Sequence, residues 1–180
     1  MRKIFLFLTL TVMATAMASC GKKQGSDVTK INGTEAVGHQ AETDQALAPD
    51  FTLNDLNGKP LTLSSLRGKP VILDFWGSWC VWCVRGVPKM KEYYKKYEGK
   101  FEILGIDCNE SESEWKAAVK ELALPWLHVY CPKESTLYRD YQIQGFPTKV
   151  IIDAEGKLVQ TIIGEDPAFY ELLDKMFGES

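Results

Sequence analysis

The chain has 180 residues, of which 45% are hydrophobic and 25% charged, and its net charge is −3. That balance excludes a disordered or fibrous chain. The mild acidity, with no basic stretch or repeat, excludes nucleic acid as the natural partner.

Residues 1–20 read as a processing segment. Arg2 and Lys3 make a short basic start, and Ile4 to Ala18 is apolar or small, too short to span a bilayer comfortably. The stretch closes on Met17-Ala18-Ser19-Cys20, which resembles the lipobox of bacterial lipoproteins and implies a lipidated Cys20 at the head of the mature chain. Ordinary cleavage near Ala18, or an uncleaved anchor, is the alternative. Each buried methylene of an acyl chain adds about 0.8 kcal/mol of membrane affinity. Residues 21–46 are polar, with glycines at 25, 33 and 38, and carry too few apolar side chains to order themselves. They are expected to form a tether spanning on the order of 25–30 Å as a coil. Residues 47–180, about 135 in all, suffice for one domain with a real core.

Within that domain, Phe51-Thr52-Leu53 and Leu61-Thr62-Leu63 alternate around Asn57-Gly58, a hairpin signal. Val71 to Trp76 is a near-continuous apolar run, as in a strand covered on both faces. Val87, Met90, Tyr94 and Tyr97 then follow helical spacing, a core face with tyrosine hydroxyls at its wet edge. Phe101 to Asp107 reads as a second buried strand. Ser111-Glu112-Ser113-Glu114 forms a capping box, opening a helix with Trp115, Ala118, Val119 and Leu122 on one face. Pro125 stops it, Trp126 to Tyr130 is a third strand, and Thr136 to Tyr141 a short helix. Thr148–Ile152 and Leu158–Ile163 are strands joined by Ala154-Glu155-Gly156-Lys157. Asp166-Pro167 opens a last helix that buries Phe169, Leu172, Leu173 and Met176. Strands alternating with helices, closed by a hairpin and a helix, predict an α/β sandwich with a mixed sheet.

The chemistry centres on Trp79-Cys80-Val81-Trp82-Cys83, at the junction of the first apolar strand and the helix after it. Two cysteines with two residues between them at such a junction read as a redox dithiol. A helix N-terminus aims free N–H groups and a partial positive charge at the first sulfur, which favours its thiolate. That thiolate attacks a partner disulfide, and the second cysteine resolves the mixed disulfide. The sulfurs carry the electrons, so the cycle needs no cofactor.

Further stretches carry a resemblance. Ala48-Pro49-Asp50-Phe51 with Leu63 to Lys69, the W-C-x-x-C at Trp79 to Cys83, Pro88, and Gly145-Phe146-Pro147-Thr148 together resemble the thioredoxin superfamily. The nearest likeness is to membrane-anchored thiol–disulfide oxidoreductases of the TlpA/ResA type, over about Ala48 to Phe177. The resemblance implies a thioredoxin-like sandwich with an N-terminal hairpin and a helix-and-strand insertion between Asn109 and Tyr130. It implies a cis Pro147 facing the dithiol, beside which an extended substrate strand pairs through its main chain. It also implies a monomer that acts on disulfides of exported proteins, such as apocytochrome c. Its electrons would come from a membrane-embedded thiol donor, and its domain would face the periplasm of a bacterial cell envelope.

Asp74, six residues before Cys80 in a buried strand, is expected to have a raised pKa and to accept the Cys83 proton; satisfying local backbone donors is the plainer alternative. Trp79, Trp82, Phe146 and Pro147 are the expected substrate contacts. Two departures stand out. Relatives of the ResA type often carry a glutamate three residues after the second cysteine, where this chain has Gly86. Plain thioredoxins place a lysine near the buried aspartate on the next strand, where this chain has Ile103, which predicts an Asp74 with no cation beside it. Val81-Trp82 has neither proline nor histidine, so no imidazole adjoins Cys80, which leans against a strong oxidant.

Cys108 and Cys131 end two strands that should be parallel neighbours in this fold. A structural disulfide, two unpaired buried thiols, and a second redox pair relaying to Cys80–Cys83 all remain open. His39 in the tether is read as solvated and His128 as packed or edge-exposed. A peroxiredoxin would need serine or threonine at Gly77 and proline at Leu73. A copper chaperone would have only His128 to offer beside the sulfurs.

Overall fold

A computed structural model describes residues 46–178. The expected signal segment, Cys20 and all but the last residue of the expected tether lie outside the described residues. The described elements run β1 (Thr52–Asn54), β2 (Pro60–Thr62), a 3-10 turn (Leu63–Leu66), β3 (Val71–Trp76), α1 (Val81–Lys96), β4 (Glu102–Asp107), α2 (Glu112–Glu121) and β5 (Leu127–Tyr130). They continue through α3 (Leu137–Asp140), β6 (Thr148–Ile152), β7 (Leu158–Ile163) and α4 (Pro167–Phe177).

The central sheet has the order β5-β4-β3-β6-β7. β3 is parallel to β4 and β4 to β5, whereas β6 and β7 are antiparallel to their neighbours, so the sheet is mixed as the element order predicts. β3 is buried along its whole length. Its side chains alternate between two cores. Ile72 and Trp76 join Met90, Trp115, Phe169 and Leu173 beneath α1, α2 and α4. Leu73 and Phe75 join Leu104, Val129, Leu137 and Val150 on the other side, under α3 and the N-terminal segment. Asp74 falls on the α1 side, because it shares the phase of Ile72 and Trp76.

The N-terminal segment covers both sheet edges, pairing Leu47 with Lys157 beside β7 and Asp55 with Val129 of β5. Its hairpin closes over residues 55–59 rather than a two-residue turn. The Asp55 carboxylate accepts the N–H groups of Asn57 and Lys59, both at 2.8 Å, and Gly58 takes φ +73°. Capping starts the helices where the sequence predicts. Ser111 and Glu114 form the reciprocal box on α2, and Asp166 caps α4 ahead of Pro167. The α1 tyrosines differ from expectation at their tips. Tyr93 and Tyr97 donate to Asp174 of α4, and Tyr94 to Glu102 of β4, so their hydroxyls fasten α1 to its neighbours.

Candidate active site

Strand β3 delivers the chain to the sheet's C-terminal edge, and residues 77–80 turn it into α1. Cys80 is the N-cap of α1. Its sulfur accepts the Cys83 N–H at 3.2 Å, an orphan donor of the first turn, and it is joined to Cys83 in a disulfide. Both cysteines are only 6% exposed, so a partner reaches sulfur by docking on the surrounding rim.

The loop before the disulfide is held from the β4–α2 connection. The Glu110 carboxylate accepts the Ser78 N–H at 2.7 Å and the Ser78 hydroxyl. The Trp79 indole N–H donates to the Cys108 carbonyl at 2.8 Å. A Cβ at Gly77 would fall 2.9 Å from that same carbonyl, so the turn needs glycine there. Across the loop, the Phe146–Pro147 peptide is cis. Trp79 meets the Phe146 ring edge-on, with centroids 5.3 Å apart. Trp79 is 49% and Trp82 60% exposed, and Val81 and Ile163 are also exposed, so an apolar rim surrounds the disulfide. The Arg85 guanidinium lies over the Trp82 ring at 5.2 Å.

Asp74 is buried on the α1 side of β3. The expectation that it lacks a cation is wrong. Lys149, its register partner on β6, places Nζ 3.7 Å from Asp74 Oδ1 and 3.2 Å from Glu165 Oε2. The position argued from Ile103 is indeed apolar, but the antiparallel neighbour supplies the ammonium instead. Burial still raises the Asp74 pKa, Lys149 opposes that rise, and Glu165 adds to it. The absence of an acid at Gly86 is likewise made good from elsewhere. A Cβ built on Gly86 would fall 2.6 Å from the Glu165 carboxyl carbon, so that carboxylate already fills the space.

Sequence reading missed Lys149, Glu165 and Glu110. Lys149 had a signal, a lone charge in an otherwise apolar strand, the same mark that singled out Asp74. Glu165 had an indirect one, because glycine inside a helix costs about 1 kcal/mol against alanine and marks a close approach. Glu110 had none, since only the fold brings its loop against Ser78.

Cys108 and Cys131 lie side by side as the strands predict, at the next register step beyond Asp107 and Tyr130. Both are buried free thiols, so the disulfide between them is not formed in this structure. Strand spacing of about 4.8 Å leaves a bridge possible, but the two sulfurs turn to backbone carbonyls instead. The Cys108 sulfur points to the Ile106 carbonyl at 3.4 Å and the Cys131 sulfur to that of Pro132 at 3.8 Å. The neighbouring Cys131 sulfur and burial push the Cys108 thiol well up. Asp107, beside them, is pushed up to about 9 by burial and then by Glu110. His128 packs between Trp76 and Trp126 with no hydrogen-bond partner, and burial lowers its pKa to about 4. Among the described residues no cluster of potential ligands could hold a metal ion.

A dithiol capping a helix at the end of a buried strand, with a cis-proline loop packed against the preceding turn, defines a thiol–disulfide oxidoreductase of thioredoxin fold. Comparison with known proteins agrees. A family model described as thioredoxin-like matches residues 68–158, and the chain belongs to that family. It is 41% identical over 119 residues to the thiol-disulfide oxidoreductase ResA of Bacillus cereus, a match covering 66% of this chain and 68% of that one. Among solved structures, it resembles the thioredoxin domain of a thiol-disulfide oxidoreductase from Bacteroides vulgatus. There the TM-score is 0.68 at 30% identity, over 74% of this chain and 97% of that one. It also resembles an exposed lipoprotein thioredoxin of Streptococcus pneumoniae, with TM-score 0.61 at 31% identity, over 71% of this chain and 99% of that one.

Proposed function

We propose that this enzyme is a lipid-anchored reductase of disulfides in exported proteins, working outside the cytoplasm. The observation that carries the reading is the Cys80–Cys83 disulfide at the head of α1, across from cis Pro147 and within an exposed aromatic rim. In the reduced enzyme the Cys80 thiolate attacks a substrate disulfide. One substrate sulfur leaves as a thiolate and a Cys80–substrate disulfide forms. Cys83 then gives its proton to Asp74 and attacks the Cys80 sulfur. The second substrate thiolate leaves, and the Cys80–Cys83 disulfide of this structure is regenerated. Two electrons pass to the substrate, and a membrane-embedded thiol donor returns them.

Substrate contacts fall to Trp79, Trp82, Phe146 and the main chain beside Pro147. Backbone pairing gives affinity with little sequence selectivity, which suits unfolded clients such as apocytochrome c. The anchor rests on the Met17-Ala18-Ser19-Cys20 motif and is supported by the name of the pneumococcal relative. Among the described residues no helix is long and apolar enough to cross a membrane.

The test is the equilibrium potential of the Cys80–Cys83 couple. A reductase lies well below the potential of a strong exported oxidase, about −120 mV; a value near that figure would reverse the direction of electron flow. Acyl labelling and globomycin sensitivity of the precursor test Cys20, and an unlabelled, insensitive precursor excludes the anchor.

A further inference from the structure

We propose that Glu165 is a positioning residue of the proton-handling site: it holds Lys149 from the side opposite Asp74, through a gap in α1 that only Gly86 leaves open. This rests on the reading of Asp74 as the acceptor of the Cys83 proton. The β7–α4 loop brings the Glu165 carboxylate against α1 one turn beyond Cys83. Three contacts fix it there. Oε2 accepts from Lys149 Nζ at 3.2 Å, Oε1 accepts from the Tyr170 hydroxyl at 2.6 Å, and the carboxyl packs on Gly86 where a Cβ would overlap it. Lys149 thus stands between two carboxyls, nearer to Glu165 than to Asp74.

One ammonium cannot neutralise two carboxylates. The side chain of Asp74 is 8% exposed and that of Glu165 19%. Asp74, the deeper of the two, meets a desolvation cost that an ammonium shared with Glu165 offsets only in part, which readies it to take up a proton. The other groups facing Asp74 do not replace this control. β4 presents Gly105, and His128 of β5, which packs over Gly105, is held neutral by burial. α4 presents Tyr170, whose ring lies 4.0 Å from the Lys89 ammonium of α1. Glu165 therefore sets how readily Asp74 takes up and gives back a proton, and the missing side chain at Gly86 leaves room for the Glu165 carboxylate.

The experiment follows the Asp74 side-chain carboxyl by carbon-13 NMR against pH in the reduced full-length protein, alongside the pH profile of disulfide reduction. Glu165→Gln removes a like charge and frees Lys149 for Asp74. The Asp74 midpoint should fall by about one pH unit. Gly86→Ala, which evicts the carboxylate without altering it, should move the midpoint the same way. Lys149→Met should move it up. A purely structural contact would lower the melting temperature and leave the midpoint where it was. An unmoved midpoint in both Glu165→Gln and Gly86→Ala overturns the inference. A midpoint that falls while the rate profile stays put upholds Glu165 and removes Asp74 as the proton acceptor.

Discussion

Two pairs of cysteines end on the same edge of one sheet, and they share almost nothing else. Cys80 and Cys83 sit at the head of α1, bonded, with a helix N-terminus behind them and an exposed aromatic rim around them. Cys108 and Cys131 sit at the ends of parallel strands, packed among Phe75, Leu104 and Val129, with backbone carbonyls as sulfur partners. The helix end stabilises a thiolate. At the strand ends the Cys131 sulfur and burial keep the Cys108 thiol protonated, while the Cys108 thiol in turn lowers the Cys131 pKa. Sulfur reactivity here follows from the backbone element beneath the sulfur, and the redundant-looking second pair is part of the core.

The sharpest break in that comparison is substitution by alanine at each pair. Cys80→Ala should take insulin reduction to background. Cys108→Ala should leave it within about twofold and cost about 1 kcal/mol of stability as a small buried truncation. Thiol counting should agree. The reduced protein shows its Cys80–Cys83 thiols at once in native buffer, and Cys108 and Cys131 only in denaturant.

The next effect concerns two titratable groups on the α1 side of the sheet. The pKa of His128 falls from 6.5 unfolded to about 4 folded. Between those values the unfolded chain binds more protons, so stability that is full above pH 6.5 is lost as pH falls towards 4. The loss totals about 3 kcal/mol. His128→Leu should flatten this limb in urea melts taken between pH 7 and 4. An unchanged acid limb would mean that the imidazole is not held neutral.

Asp74 runs the other way. Its folded pKa is raised from 3.8, so the folded state binds the extra proton and stability falls as pH rises through the window above 3.8. Asp74→Asn should therefore stabilise the neutral protein, by about 1.4 kcal/mol for every tenfold by which folding tightens the carboxyl's hold on its proton. It should also slow disulfide exchange several-fold, most near neutral pH. A destabilised variant with a wild-type rate profile would contradict both halves.

How much of this was legible beforehand also divides along the two regions. Local signals placed the helices: apolar spacing gave α1, and caps acting on their own segments gave α2 and α4, Ser111 with Glu114 and Asp166 with Pro167. The apolar runs placed β3 and β4. The dithiol and the cis-proline loop were legible as spaced motifs. The ion triad was not, because Asp74, Lys149 and Glu165 meet only through sheet register and a loop 91 residues further along the chain than Asp74. Lys149 lies across an antiparallel pairing, whereas the expectation of a bare carboxyl drew only on the parallel neighbour. The state of Cys108 and Cys131 was undecided for a related reason, since adjacency of strands fixes Cα spacing and leaves the Cβ geometry open.

The most direct test of the account traps the chemistry on a named sulfur. In reduced Cys83→Ser the resolving step is removed, so a model disulfide protein should accumulate as a mixed disulfide. Peptide mapping should place that adduct on Cys80, with Cys108 and Cys131 unmodified. An adduct on either strand-end cysteine, or none on Cys80, would contradict the claim that the helix-capping sulfur is the nucleophile.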